Sequence, residues 1–94
     1  MTTFIISYDV KEPMEAQATS ALKAAGWSEW YDDGPVAKEL PARTLWQNNA
    51  APHTRAVRAA VKAVIVQSGA ELTKLIVFEG ARWAGISDVE RPAK

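Results

Sequence analysis

The chain has 94 residues, 48% of them apolar, and eleven basic residues balance eleven acidic ones, which gives a formal net charge of zero. This length favours one small domain, and the neutral balance excludes whole-molecule attraction to nucleic acid or membranes, so such binding would need a local patch. The absence of cysteine excludes disulfides and thiolate metal sites and favours a cytoplasmic location. The chain has neither a signal-like start nor an apolar run of roughly 18 residues, so we expect no membrane partner.

The first predicted elements are a strand at residues 3–9 and an amphipathic helix at residues 13–25 that stops at a glycine. The strand begins with three consecutive apolar residues, which suit a buried position in a sheet. It ends in Asp9, whose charge is costly to desolvate unless it has a partner or meets water. Asp9 is therefore either a turn residue that caps the first helix or part of a site.

The middle of the chain predicts two strands, at residues 29–38 and 43–48, and a second helix at residues 52–68. The segment before this helix combines aromatic residues with the turn signal DDGP and a further proline. Asn48 or Asn49 is the predicted N-cap of the second helix, because a short polar side chain there can accept hydrogen bonds from the free amides of the first turn.

The segment LTKLIVFEG predicts a last strand at residues 72–79. The resulting order is that of an α+β, ferredoxin-like split βαββαβ domain, in which a four-stranded antiparallel sheet carries two helices on one face. We assign residues 1–86 to this single domain and residues 87–94 to a C-terminal tail. The other sheet face has no helix, so it must be polar or be covered by a second copy or a partner.

Large aromatic residues are concentrated in the middle segment, beyond what one small helix layer requires. These residues are Trp27, Trp30, Tyr31 and Trp46. A homodimer that closes the open face would use such side chains. The predicted dimer-interface residues are Trp46, Arg82 and Trp83, although the last two could instead stack on a base.

A basic stripe lies on the outer face of the second predicted helix and consists of Arg55, Arg58 and Lys62. Cations at this spacing suit a phosphate backbone, whereas the same pattern on many helices is a solvated face. The stripe is the local patch on which nucleic-acid binding by a neutral chain would depend.

Three stretches of the chain, FIISYDV, LPARTLW and LIVFEGARWAG, carry a resemblance to a known family. Across residues 3–85 the chain resembles the small CRISPR-associated endonuclease-like subunit of the spacer integrase and its relatives, the virulence-associated protein D ribonucleases and the SinR-like proteins. The resemblance implies a homodimer in which the aspartate of FIISYDV from each protomer lies across the dimer axis. In that position it can hold Mg²⁺ or Mn²⁺ for phosphodiester cleavage, although many family members use the fold without catalysis. The resemblance makes Asp9 the candidate metal ligand and catalytic residue. Tyr8, next to Asp9 in the same motif, and the basic stripe are the predicted nucleic-acid contacts. Where family members often carry an arginine a few residues further on, this chain has KEP.

Two function classes follow from these observations. The first is a dimeric, nucleic-acid-associated protein, acting as a Mg²⁺- or Mn²⁺-dependent endonuclease or endoribonuclease on RNA or DNA; one aspartate per chain, doubled by symmetry, is a sparse set of oxygen ligands for such a cation. The second is a noncatalytic interaction module of a phage or mobile element, which binds a host protein through the aromatic middle segment. The strand ending in Asp9 favours the first class, and the zero net charge favours the second.

Overall fold

The structure is a computed structural model, and it describes residues 2–80 and 89–92. Within these ranges the chain forms six strands and two helices. In chain order they are β1 (Thr2–Val10), α1 (Glu15–Ala24), β2 (Trp30–Asp33), β3 (Val36–Glu39), β4 (Thr44–Asn49), α2 (Thr54–Gln67), β5 (Leu72–Glu79) and β6 (Glu90–Pro92).

The first sheet has β1 at its centre, with β4 and β5 antiparallel on either side. Successive residues of a strand point to opposite faces, and β1 follows that period: its alternate residues from Phe4 to Val10 are buried, and the residues between them are half-buried. One face of this sheet therefore forms the floor of the core, and the other is the open face.

Both helices contribute to the core on the buried face of β1. Helix α1 buries Ala18 and Leu22 there, and α2 buries residues at a regular spacing of four, namely Val57, Val61 and Ile65. This spacing places one apolar stripe along the helix, facing the sheet. Fully burying a side chain such as Leu22 or Ile65 contributes about 1.5–3 kcal/mol, so each of these helix residues is a substantial source of stability.

The prediction of one four-stranded sheet is wrong, because the chain forms two separate three-stranded antiparallel sheets. The predicted strand at residues 29–38 is a hairpin of β2 and β3, with β6 paired to the other side of β3. The hairpin reverses at Gly34, whose φ of +67° fits the first central position of a two-residue turn. An isolated β-bridge between Ser28 and Trp46 connects the residues just before β2 to β4. The second predicted strand therefore forms two strands of a separate sheet.

Helix α2 begins at Thr54 rather than near residue 52, because the N-cap is His53. The His53 Nδ1 atom accepts a hydrogen bond from the Ala56 amide at 3.2 Å. Neither predicted asparagine caps the helix: both lie in β4, and the Asn49 Oδ1 atom accepts from the Ala51 amide instead. Among the described residues, no helix has the length and apolar character needed to cross a membrane.

Candidate functional site

Asp9 lies near the end of β1 on the open face, opposite Lys74 of β5. Its Oδ1 atom is 2.7 Å from the Arg43 Nε atom, and the two side chains are 47% and 44% exposed. Helix α1 has Met14 at its N-cap position, with no side-chain cap. The capping alternative for Asp9 is therefore wrong: its carboxylate is ion-paired with an arginine that precedes β4.

Arg43 reaches Asp9 from a turn with unusual backbone geometry. Its φ is +59°, a left-handed conformation that costs a non-glycine residue about 1 kcal/mol. The turn is fixed by two hydrogen bonds, from the Thr44 amide to the Pro41 carbonyl at 3.0 Å and from the Tyr8 amide to the Arg43 carbonyl at 3.1 Å. The backbone of β1 thereby holds Arg43 beside its own last residues. The sequence prediction missed Arg43, and the only local signal was the proline two positions earlier.

Tyr8 faces the core, not the open face. Its side chain is 3% exposed, and its hydroxyl lies 2.6 Å from the Thr19 Oγ1 atom of α1. Burial raises the pKa of the Tyr8 hydroxyl above its ordinary value of 10.0. The ring of Tyr8, predicted as a nucleic-acid contact, is therefore placed to join β1 to α1 and is not presented for stacking on a base.

The acidic residues of a single chain do not form a divalent-metal site in the described part of the molecule. No group of three or more His, Cys, Asp or Glu side chains comes together within residues 2–80 and 89–92. Mg²⁺ prefers six oxygen ligands, whereas Asp9 supplies one carboxylate that already contacts Arg43. The described acidic neighbours of Asp9 in its own chain are therefore too few to complete such a site.

The basic stripe is exposed on α2, and this helix has no acidic residue. Arg58 and Lys62 line an open groove of about 530 Å³ between α2 and β5, whereas Arg55 is not among its lining residues. The groove also includes Lys74, which the sequence prediction did not single out. The fold thus brings two of the three predicted cations together with a fourth from a different element. A lysine in a mostly apolar strand, LTKLIVFE, was the signal for it.

The open face of the first sheet carries a row of large apolar side chains. Ile5 of β1 lies between Trp46 of β4 and Phe78 of β5, and Ile76 lies in the next row. Phe78 is 54% exposed and Ile76 is 52% exposed, whereas Trp46 is half-buried and donates its Nε1 hydrogen bond to the Trp30 carbonyl. Trp46 thus lies on the face for which a dimer contact was predicted.

The other two predicted interface residues, Arg82 and Trp83, lie outside the described residues. The predicted tail is described only at residues 89–92, where β6 pairs with β3 and the Arg91 guanidinium lies 4.2 Å from the centre of the Trp30 ring. This part of the chain therefore packs on the second sheet of the same molecule.

Comparisons of the chain with protein-family profiles, with curated proteins and with solved structures found no match.

Proposed function

We propose that the protein is a homodimer that binds nucleic acid, with the open faces of two copies packed on each other. The observation that carries the proposal is the apolar row on the open face, where Phe78 and Ile76 are each more than half exposed. A contiguous apolar patch of this kind marks an interaction surface, and a two-fold axis lets the same patch serve both copies.

The cationic side chains of α2 and β5 support binding to nucleic acid. Arg58, Lys62 and Lys74 all line one groove, and α2 carries no acidic residue to neutralise its own cations. This is a local patch of the kind that a chain with zero net charge needs in order to bind a polyanion. Lysine and arginine contacts to phosphates supply most of the sequence-independent affinity of such proteins.

Cleavage is a separate part of the proposal and depends on Asp9. Within residues 2–80 and 89–92, one chain has no group of three or more acidic or histidine side chains that could hold Mg²⁺ or Mn²⁺, and Arg43 already contacts one oxygen of the carboxylate. Catalysis at this position would require the second copy to bring its own Asp9 close enough to share a cation. Nucleic-acid binding, rather than cleavage, is therefore the function that the geometry favours. We propose that the protein acts in the cytoplasm.

The experiment is a fluorescence anisotropy titration of labelled RNA and DNA at about 50 mM and about 200 mM salt, with and without Mg²⁺ or Mn²⁺. We expect binding that weakens as salt rises and that Asp9→Asn leaves intact. The same samples are run on a denaturing gel for cleavage products, and products that vanish in Asp9→Asn would make the protein a nuclease. No binding to either nucleic acid at low salt would contradict the proposal.

A noncatalytic module that binds a host protein is the second candidate. The observation that favours it is a cleft of about 160 Å³ between the two sheets, lined by Trp30, Trp46 and Arg91 among others. Aromatic and arginine side chains are the residue types that dominate protein interfaces. Two results together would make this second candidate replace the first. The native protein would bind a host protein and no nucleic acid, and Trp30→Ala would abolish the capture of that host protein.

A further inference from the structure

The groove between α2 and β5 lies on the helix side of the first sheet, away from the open face. Helix α2 packs its buried stripe on the same sheet face as Tyr8, and Leu72 and Leu75, which line the groove, also pack against this core. The exposed side chains of Arg58 and Lys62 line the groove on its α2 side. The sheet therefore separates these two cations from the face that the proposed dimer covers.

Arg58 and Lys62 carry charges that the described part of the chain does not neutralise. Within residues 2–80 and 89–92 neither side chain has an ion-pair partner, and no described acidic residue lines the groove. The two residues are four positions apart, so they lie on one side of the helix, about 6 Å apart along its axis. Lys74 adds a third charge nearer the open face, because it lies opposite Asp9 in the sheet register. The groove therefore attracts a polyanion to the helix side of the sheet.

The lining of this groove favours a duplex over a single strand. Its described residues include no aromatic side chain, whereas sites for single strands stack bases on aromatic rings. An open groove with exposed cations can contact the phosphates of a duplex without reading its bases. A duplex is also stiff, with a persistence length of about 150 base pairs, so a short one stays on one side of the protein.

The proposed dimer has two such grooves, one on the helix side of each copy. Packed sheets lie about 10 Å apart and a helix has a radius of about 5 Å, so the two α2 axes are at least about 20 Å apart. This separation exceeds the Debye length of about 8 Å at physiological salt, so a polyanion in one groove repels a second one only weakly. We infer that the dimer bridges two nucleic-acid duplexes, with one duplex in each α2–β5 groove. This inference rests on the proposed function and adds to it the substrate class and the number of molecules bound.

The test is a sandwich assay with two short duplexes of the same sequence, made of DNA and, in a parallel series, of RNA. One duplex of about 20 base pairs, far below the persistence length, is fixed to a surface. The protein and then a fluorescent copy of the duplex are added in turn. We expect the native protein to retain the fluorescent duplex on the surface. Phe78→Ser should be a monomer that still binds the fixed duplex but retains severalfold less of the fluorescent one.

Lys62→Gln tests the groove itself, with Lys23→Gln as the matched control. Both variants remove one lysine charge, but Lys23 lies on α1 and already pairs with Glu29 at 2.8 Å. In an anisotropy titration Lys62→Gln should weaken duplex binding and reduce the magnitude of the slope of log K against log salt by about 0.9, the contribution of one phosphate contact. Melting curves check that all variants fold. An effect of Lys23→Gln as large as that of Lys62→Gln would overturn the assignment of the duplex to this groove.

The bridge and the proposed function fail in different ways. A native protein that binds the fixed duplex without retaining the second one would overturn the bridge and leave the proposed function standing. Binding of single strands but of no duplex would do the same, as would equal retention by Phe78→Ser and the native protein. If the native protein binds neither single strands nor duplexes at low salt, both fail.

Discussion

Asp9 shows how one side chain limits the chemistry that a strand end can support. Its ion pair with Arg43 is nearly half exposed, and pairs of this kind contribute about 0.2–1 kcal/mol. The pair is therefore weak as a source of stability. Its consequence is electrostatic competition, because the guanidinium beside Oδ1 neutralises the carboxylate and repels a cation that approaches either oxygen.

This competition gives a prediction for metal binding. We expect Mn²⁺ to raise the melting temperature of Arg43→Gln by more than that of the native protein, and not to raise that of Asp9→Asn, because a ligand stabilises the state that binds it. Differential scanning fluorimetry with and without Mn²⁺ measures the shift. Equal shifts in all three proteins would mean that the cation binds elsewhere.

Tyr8 gives a prediction for alkaline pH. Burial raises the pKa of its hydroxyl in the folded protein above the ordinary value of 10.0. Above pH 10 the unfolded chain therefore loses this proton before the folded chain does, and the free energy of unfolding falls as pH rises from the ordinary pKa to the raised one. Tyr8→Phe should have a lower stability near pH 8, because the hydrogen bond to Thr19 is lost, but a flatter decline above pH 10. Urea denaturation at several pH values measures both, and identical slopes above pH 10 would contradict this assignment.

At the scale of elements, the connection after α1 depends on Gly26. Its φ is +95°, and a Cβ atom there would lie 2.8 Å from the Gln47 Nε2 atom, which donates a hydrogen bond to the Ala25 carbonyl. Gly34 also has a positive φ, but open space surrounds the position of its Cβ. The two glycines therefore form a matched pair that separates backbone strain from a steric clash.

We expect Gly34→Ala to cost about 1 kcal/mol, the price of a left-handed alanine. Gly26→Ala should cost at least about 1 kcal/mol more, because the Gln47 hydrogen bond is also disturbed. Chemical denaturation of the two variants measures the difference. Equal destabilisation would show that Gln47 moves aside without cost.

The sequence predicted the elements whose periodicity is visible within a short window. It did not predict the sheets, because these depend on which strands pair with each other. The alternation of β1 and the apolar stripe of α2 lie in short windows, and both elements form close to their predicted positions. The signal DDGP was visible, but apolar and aromatic residues continue on both sides of it, so one strand and a hairpin look alike. The third strand of the second sheet comes from the pairing of β3 with β6, more than fifty residues apart in the chain.

The candidate site was predicted less well than the fold elements. Asp9 was singled out from its place at a strand end, but its partner Arg43 lies 34 residues away and is positioned by a left-handed backbone that the sequence does not encode visibly. Two cations of the groove followed from helical spacing. Lys74 could not be added to them without knowing that β5 lies beside α2.

At the scale of the whole molecule, the account depends on what covers the open face of the first sheet. Phe78 is the clearest candidate for an interface residue, because it is more than half exposed and lies in the apolar row. Trp46→Ala should also weaken association, but this ring donates a hydrogen bond within the chain, so its loss would lower stability as well. Truncating an aromatic anchor in an interface core costs about 2 kcal/mol or more, which is a weakening of roughly thirtyfold.

The most direct test is therefore the molar mass in solution, measured by light scattering at high micromolar concentration. We expect twice the chain mass of 10.3 kDa for the native protein and a shift toward the monomer for Phe78→Ser. Val66→Ser is the matched control, because Val66 is 56% exposed but lies on α2, away from the open face, and this variant should remain a dimer. A native mass of 10.3 kDa, or a dimer that Val66→Ser disrupts and Phe78→Ser does not, would contradict the account.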